Sequence, residues 1–426
     1  MHKSVDLYAR GCDNNDQMVN KNPEIGIKPA TDGATAAAGF SAAGVRCGIR
    51  NSERRDLGLL LSEKGRCTSA VVVTTNALKS APLLVTREAV ESGDVRVVVV
   101  NSGVANAATG KRGIENAREM QALVAAELGL EPGEVAVAST GVIGEHLPMD
   151  RIQTGIKDAA ASLSRDGSGF AEAILTTDTR TKEAVATVEI EGETVTVGGA
   201  AKGSGMIHPN MATMLAFVTT DAAVEKKCLQ SVLSKVTERT FNRITVDGDT
   251  SPNDTVLLMA NGAAGNELLT QHSLYYPAFQ EAVEVVMREL AKEIARDGEG
   301  ATKLIEVVVE GAKNEASAAT LAKSIVGSNL FKAAVYGADA NWGRVLNAMG
   351  YSGVQFDPED VELWFGPVKV FANGEPVPHD QAEANATLAG DEVVVTARLK
   401  DGVASATAWG CDLTYEYVKI NGSYRS

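Results

Sequence analysis

The chemistry in this chain centres on a threonine at the end of a loop. Residues 202–215 read KGSGMIHPNMATML, with Gly203, Gly205 and Pro209 interrupting regular structure. An apolar run follows, predicted as a buried strand from Thr213 to Val218. Cutting the peptide bond between Ala212 and Thr213 would make Thr213 a nucleophile and a new amino terminus at once. A free α-amine titrates at about 7.7–8, so at neutral pH a useful fraction is a neutral base beside its own hydroxyl. Such a threonine needs no histidine. Thr140-Gly141, after the strand-like EVAVAS, offers the complement: a hydroxyl and a backbone N–H suited to an oxyanion hole. Losing one such donor typically costs about 2.7–4 kcal/mol of barrier.

Other candidates are weaker. His208 lies close to Thr213 but sits beside Pro209 and reads as structural. Glu299 reads either as a partner of Lys303 or as a carboxylate held to receive a substrate amine. The stretch GVANAATGKR, from Gly103, lacks phosphate-loop spacing and reads as a strand-to-helix connection. Asp247 to Asp254 begins with the acid spacing of a calcium loop. Pro252 stands in the place of the required glycine and Leu258 in that of the final glutamate, so a polar turn before a strand is expected.

The elements that must position these groups alternate between strand and helix. Strands are expected at 69–76, 95–101, 134–139, 254–259 and 305–310, and a hairpin at 185–197 turning near Glu191-Gly192. Helices are expected at 114–129 (stopped by Gly129), 151–164, 224–239, 278–296 and 317–332. Beyond these, 361–370, 392–399 and 405–420 read as strands. The alternation predicts a mixed α/β architecture, with sheets packed under helices.

The bulk numbers remove whole classes of function. The 426 residues exceed one small core. A net charge of −15 makes nucleic acid and anionic membrane surfaces poor partners. No apolar run approaches the ~20 residues that span a bilayer. The five cysteines are scattered without a CxxC, against structural zinc or a disulfide framework and for a reducing, cytoplasmic setting. Residues 1–25 read as a flexible leader without the features of a targeting peptide.

KGSGMIHPNMATMLAF followed by TTDA resembles the self-processing centre of the glutamate N-acetyltransferase/ornithine acetyltransferase family of arginine biosynthesis. FSAAGVRCGIR, STGVIGEHLPMDRI, ILTTDT, FNRITVDGDTSPNDT, RDGEGATK, GADANWGRV and CDLTYEYVKING extend the resemblance, in order, over nearly the whole chain. Val104 and Ala108 depart from the family pattern in VNSGVANAATG, at positions with no chemical role, where altered local packing is the expected consequence.

The resemblance implies a layered αββα sandwich of the ornithine acetyltransferase and DmpA-like type. It implies self-cleavage at Ala212-Thr213 into an α chain (1–212) and a β chain (213–426) that stay associated as a heterotetramer of two αβ units. Thr213 becomes the acetyl-accepting nucleophile, with Thr140 and Gly141 as oxyanion hole. Thr177 (with Thr176 adjacent), Lys202, Thr213, Glu299, Asn421 and Ser426 would contact substrate. The implied reaction is ping-pong transfer from N-acetylornithine to glutamate, giving ornithine and N-acetylglutamate, without metal or organic cofactor. Some members also take acetyl-CoA, a second candidate donor. The competing reading is an N-terminal-nucleophile aminopeptidase or amidase of similar fold, in which water resolves the acyl-enzyme.

Overall fold

A computed structural model of the chain describes residues 25–28, 32–208 and 214–423. Two sheets stack face to face. The larger has six strands, in the order Gly26–Lys28, Lys182–Ile190, Glu193–Lys202, Leu215–Thr220, Thr255–Ala260, Thr68–Val73. The smaller has four, in the order Phe40–Val45, Leu57–Ser62, Val97–Val104, Val135–Val142.

Strand alternation builds the layers. Leu215, Phe217, Leu257 and Met259 point between the sheets, where they meet Val98, Val100, Ala136 and Ala138. Their neighbours Ala216, Val218, Val256 and Leu258 point the other way, onto the helices Lys226–Arg239 and Tyr276–Arg296. On the outer face of the smaller sheet, Val97, Val99, Val135 and Val137 pack under Gly110–Leu128 and Met149–Ala161. Strands buried on both faces read as unbroken apolar runs, as these do. The result is the expected αββα sandwich.

A seven-stranded sheet forms a further core in the C-terminal part, with Glu315–Val326 packed on strands Leu304–Ala312 and Ala404–Cys411. Three expectations need correction there. The helix expected over 317–332 is two, Glu315–Val326 and Asn329–Tyr336, divided at Gly327-Ser328. The Ser328 side chain accepts from the Phe331 N–H and so caps the second helix. The strand expected over 361–370 is a hairpin, Glu362–Phe365 and Val368–Ala372, reversing at Gly366-Pro367. The strand expected over 405–420 ends at Cys411, and Tyr415–Ser423 is helical.

Other expectations hold. Glu191 and Gly192 make a two-residue turn with φ of 56° and 87°, the left-handed pair that matches strand twist. Helix Gly110–Leu128 ends on Gly129 at φ 67°. GVANAATGKR joins strand Val97–Val104 to that helix, and the Asp247–Asp254 run leads into strand Thr255–Ala260. Val104 is buried among the residues under the outer helices. Of the expected leader, residues 1–24 lie outside the described residues, while Ile25 packs on the core of the larger sheet.

Candidate active site

One cleft opens where strand ends from both sheets meet. Strand Glu193–Lys202 runs antiparallel to Leu215–Thr220, so Lys202, its last residue, pairs with Leu215. Leu215 also pairs in parallel with Thr255. Strand Val135–Val142 lies parallel to Val97–Val104 and carries Thr140 and Gly141 opposite Ser102 and Gly103. Thr140 and Gly141 therefore belong to the strand rather than follow it. Both residues line the cleft, with Lys202, Glu299, Thr177 and Asn421. Ala212, Thr213 and Ser426 lie outside the described residues.

Gly141 must be glycine. Its φ is 129°, and a Cβ there would stand 2.3 Å from the carbonyl carbon of Gly103. The neighbouring strand thus approaches without side chains between. Asn253 fixes the same corner, its Nδ2 donating to Ala105 O and to Ser139 O, each at 2.7 Å. Among the described residues the Thr140 hydroxyl has no hydrogen-bond partner and faces the cleft.

Lys202 is buried, with 3% of its surface exposed. Burial lowers its pKa, while Asp178, Asp254 and Glu299 work to retain the proton and Lys182 works against it. Asp178 organises this end. It accepts from Lys182 Nζ at 2.8 Å, Gly203 N at 2.7 Å and Thr176 N at 2.9 Å. Burial raises its pKa, but Lys202, Lys182 and these N–H donors outweigh that and hold the carboxyl well below the usual range. Lys182 reaches on to Asp297 Oδ2 at 2.6 Å. The loop 175–177 is held from outside by Arg50, which donates to Leu175 O and Thr176 O.

Glu299 follows the helix Tyr276–Arg296. Its N–H donates to Ser204 O at 2.9 Å, and its Oε2 accepts from Asn421 Nδ2 at 2.8 Å. Lys303 turns away and donates to Val335 O and Leu388 O, so the pairing of Glu299 with Lys303 is overturned. A Cβ on Gly205 would lie 2.3 Å from the Glu299 carboxylate. The glycine in the loop makes room for that carboxylate.

The segment before residue 209 is pinned by Asp247, from the run whose acid spacing begins like a calcium loop. Asp247 accepts from Met206 N at 2.6 Å and Ile207 N at 2.8 Å. Just after residue 213, Met214 N donates to Asp254 Oδ1 at 2.9 Å. Burial pushes the Asp254 carboxyl well above its ordinary value. Asp178 lies in ILTTDT, and Asp247, Asn253 and Asp254 lie in FNRITVDGDTSPNDT, stretches that carry the resemblance without giving these residues a role. His208 makes a 3.0 Å contact from Nδ1 to Thr245 Oγ1. Burial, with Lys323 and Lys332 adding to it, lowers its pKa to about 4, so the imidazole is neutral and structural.

Thr176 and Thr177 part company here. The Thr176 hydroxyl sits 3.5 Å from Asp178 Oδ2, whereas the Thr177 hydroxyl has no hydrogen-bond partner among the described residues. Among the described residues no group of three or more His, Cys, Asp or Glu could hold a metal ion, and no helix is long and apolar enough to cross a membrane. The cleft therefore presents a hydroxyl beside a strand-end backbone, one buried cation and an acidic wall. That suits a small ligand carrying charges of both signs.

Comparison with known proteins gives a consistent result. The ArgJ family model matches residues 41–426. The chain is 57% identical over 397 residues to the arginine biosynthesis bifunctional protein ArgJ of Symbiobacterium thermophilum, covering 92% of this chain and 98% of that protein. It is 51% identical over 401 residues to the protein of the same name from Bacillus subtilis, covering 94% and 98%. Among solved structures, ArgJ of Bacillus halodurans is 51% identical with a TM-score of 0.48, over 49% of this chain and 98% of that one.

Proposed function

The chain belongs to the ArgJ family and is an acyltransferase of arginine biosynthesis, and from that premise we propose that it moves the acetyl group of N-acetylornithine to glutamate through an ester on Thr213. The observation that carries the site assignment is convergence. The Thr140-Gly141 pair, Lys202, Glu299 and Asn421 come from four separate parts of the chain and line one cleft.

The precursor cuts itself between Ala212 and Thr213 into chains 1–212 and 213–426. The six-stranded sheet draws strands from both sides of that junction, which supports the two chains staying together after the cut. They assemble as two αβ units in the cytoplasm.

Substrate enters with its α-carboxylate toward Lys202 and its side-chain ammonium toward Glu299. Thr177, Asn421 and Ser426 supply neutral hydrogen bonds. The Thr213 oxygen attacks the acetyl carbon as its own α-amine takes the hydroxyl proton. The Thr140 hydroxyl and the Gly141 N–H receive the oxyanion. The C–N bond then breaks, and ornithine leaves with that proton on its amine. Glutamate enters the same cleft, and its α-amine attacks the ester to give N-acetylglutamate and free Thr213. The amide's acyl energy is kept as an ester, so no ATP is consumed and no metal or organic cofactor takes part. The word bifunctional in the relatives' names supports a second activity, for which acetyl-CoA is the donor proposed to the same threonine.

The test combines processing and turnover. Intact-mass measurement should find fragments ending at Ala212 and starting at Thr213, and Thr213→Ala should stay one chain without transfer. Acetylornithine and glutamate should yield ornithine and acetylglutamate in equal amounts. Release of free acetate instead would support the amidase reading.

A further inference from the structure

The proposed reaction sets the cleft a problem of charge. Its two amino acids end in opposite charges: the donor side chain in an ammonium, the acceptor side chain in a carboxylate. Among the described residues lining the cleft, Lys202 is the sole cation. The Glu299 end carries three carboxylates, Glu299, Asp247 and Asp249. They suit an ammonium and repel a second carboxylate. The Asn421 Nδ2 donors are committed to Glu299 Oε2 and to Tyr417 O, so this side chain has only its Oδ1, an acceptor, left for a ligand.

Tyr417 also lines the cleft, beside these three carboxylates. It sits on helix Tyr415–Ser423, one turn before Asn421. That helix is fixed against the Glu299 turn at both ends. Thr414 Oγ1 donates to Gly300 O at 2.6 Å, and Asn421 holds the Glu299 carboxylate. Gly300, at φ 71°, lies so close that a Cβ on it would meet Tyr417 N at 2.6 Å. Burial and then the Asp247, Glu299 and Asp249 carboxylates raise the Tyr417 pKa far above its ordinary value, so the phenol keeps its proton.

We propose that Tyr417 is the specificity residue that lets one cleft accept both side chains: its hydroxyl accepts from the donor's ammonium and donates to the acceptor's side-chain carboxylate. A hydroxyl carries one donor and two acceptor positions, and its hydrogen rotates to suit. With an ammonium bound, the O–H points to Asp247 and its lone pairs face the ligand. With a carboxylate bound, the O–H turns to the ligand. No heavy atom has to move. The ammonium keeps three carboxylates without Tyr417, whereas the carboxylate loses the donor facing it, so removal of the hydroxyl weighs mainly on the acceptor.

This inference rests on the donor and acceptor proposed above. The test is Tyr417→Phe, measured with glutamate and with glutamine as competing acceptors for the acetyl-enzyme formed from acetylornithine. Cleavage at Ala212-Thr213 and an unchanged melting temperature report that the variant is folded. The expected result is a rise of about tenfold in KM for glutamate, as for loss of a hydrogen bond to a charged group. The preference for glutamate over glutamine should fall by a similar factor, with KM for acetylornithine changed less than threefold. An unchanged acceptor preference, or an equal loss for both substrates, overturns the assignment. Should Tyr417→Phe not fold, Tyr417→Ala in the same competition decides by the same ratio. Wild-type protein that transfers nothing from acetylornithine to glutamate refutes the proposed function; normal transfer with an unmoved ratio refutes only the role of Tyr417.

Discussion

Asn421 and Glu299, 122 residues apart in the chain, are joined by a 2.8 Å hydrogen bond from the Asn421 amide to Glu299 Oε2. The bond docks the C-terminal helix onto the turn after helix Tyr276–Arg296 and aims the Glu299 carboxylate into the cleft. Gly205 completes the arrangement from below, because only a residue without Cβ leaves that carboxylate its place.

Gly205→Ala should therefore displace Glu299. Gly205 does not have a positive φ, so the effect is steric rather than conformational. KM for acetylornithine should rise at least tenfold, while the melting temperature should move by only a few degrees. Steady-state kinetics beside thermal denaturation check this, and unchanged KM would show that Glu299 does not meet the substrate.

The two adjacent threonines should separate cleanly. Thr177→Val removes a hydroxyl of a cleft-lining residue that has no hydrogen-bond partner among the described residues, and should raise KM about tenfold. Thr176→Val removes a hydroxyl at 3.5 Å from Asp178, too long for a strong bond, and should change KM less than threefold. The reverse order would move the substrate contact to Thr176.

Asp178→Ala should destabilise the fold by about 3–5 kcal/mol, the range for breaking a buried ion pair, because Lys182 and Lys202 lose a common partner. Urea denaturation measures it. Asp178→Asn should cost less, since its oxygen still accepts from Gly203 N. Equal losses in both variants would mean that Asp178 acts through its charge alone and that accepting from Gly203 N adds nothing.

Glu183 gives a pH signature far from the chemistry. Burial first, then Asp32 and Asp166, raises its carboxyl to about 7. Its folded pKa lies above the unfolded carboxylate value of about 4.3, so the fold binds the proton more tightly. The stability it contributes is full below that unfolded value and is lost as pH rises toward 7. Glu183→Gln should match wild type in melting temperature at pH 4 and exceed it at pH 8.5. A difference that does not grow with pH would place the Glu183 proton elsewhere.

Much of this was readable along the chain. The turn at Glu191-Gly192, the stop at Gly129, the apolar strands and the residue types at the centre all announce themselves, because turn chemistry and side-chain periodicity act over a few residues. Other local signals misled. Gly327-Ser328 is a weak break inside an otherwise helical stretch, yet it divides two helices. The apolar residues of 361–370 hid a reversal at Gly366-Pro367. Glu299 reads equally as a partner of Lys303 or as a substrate carboxylate, because spacing along a chain says nothing about where a long side chain turns.

The sequence alone determined the chemistry on offer: a loop opening onto Thr213, a hydroxyl and glycine at 140 and 141, a lysine at 202, a carboxylate at 299. Tertiary structure decided what stands together. It set Asp247 and Asp254 to hold the backbone on either side of residues 209–213. It put Asp178 between two lysines and Asn421 onto Glu299. It also brought Tyr417 to the acidic end of the cleft. Such contacts join residues tens to hundreds of positions apart, and they exist only once two sheets have stacked and strand register has fixed which ends meet.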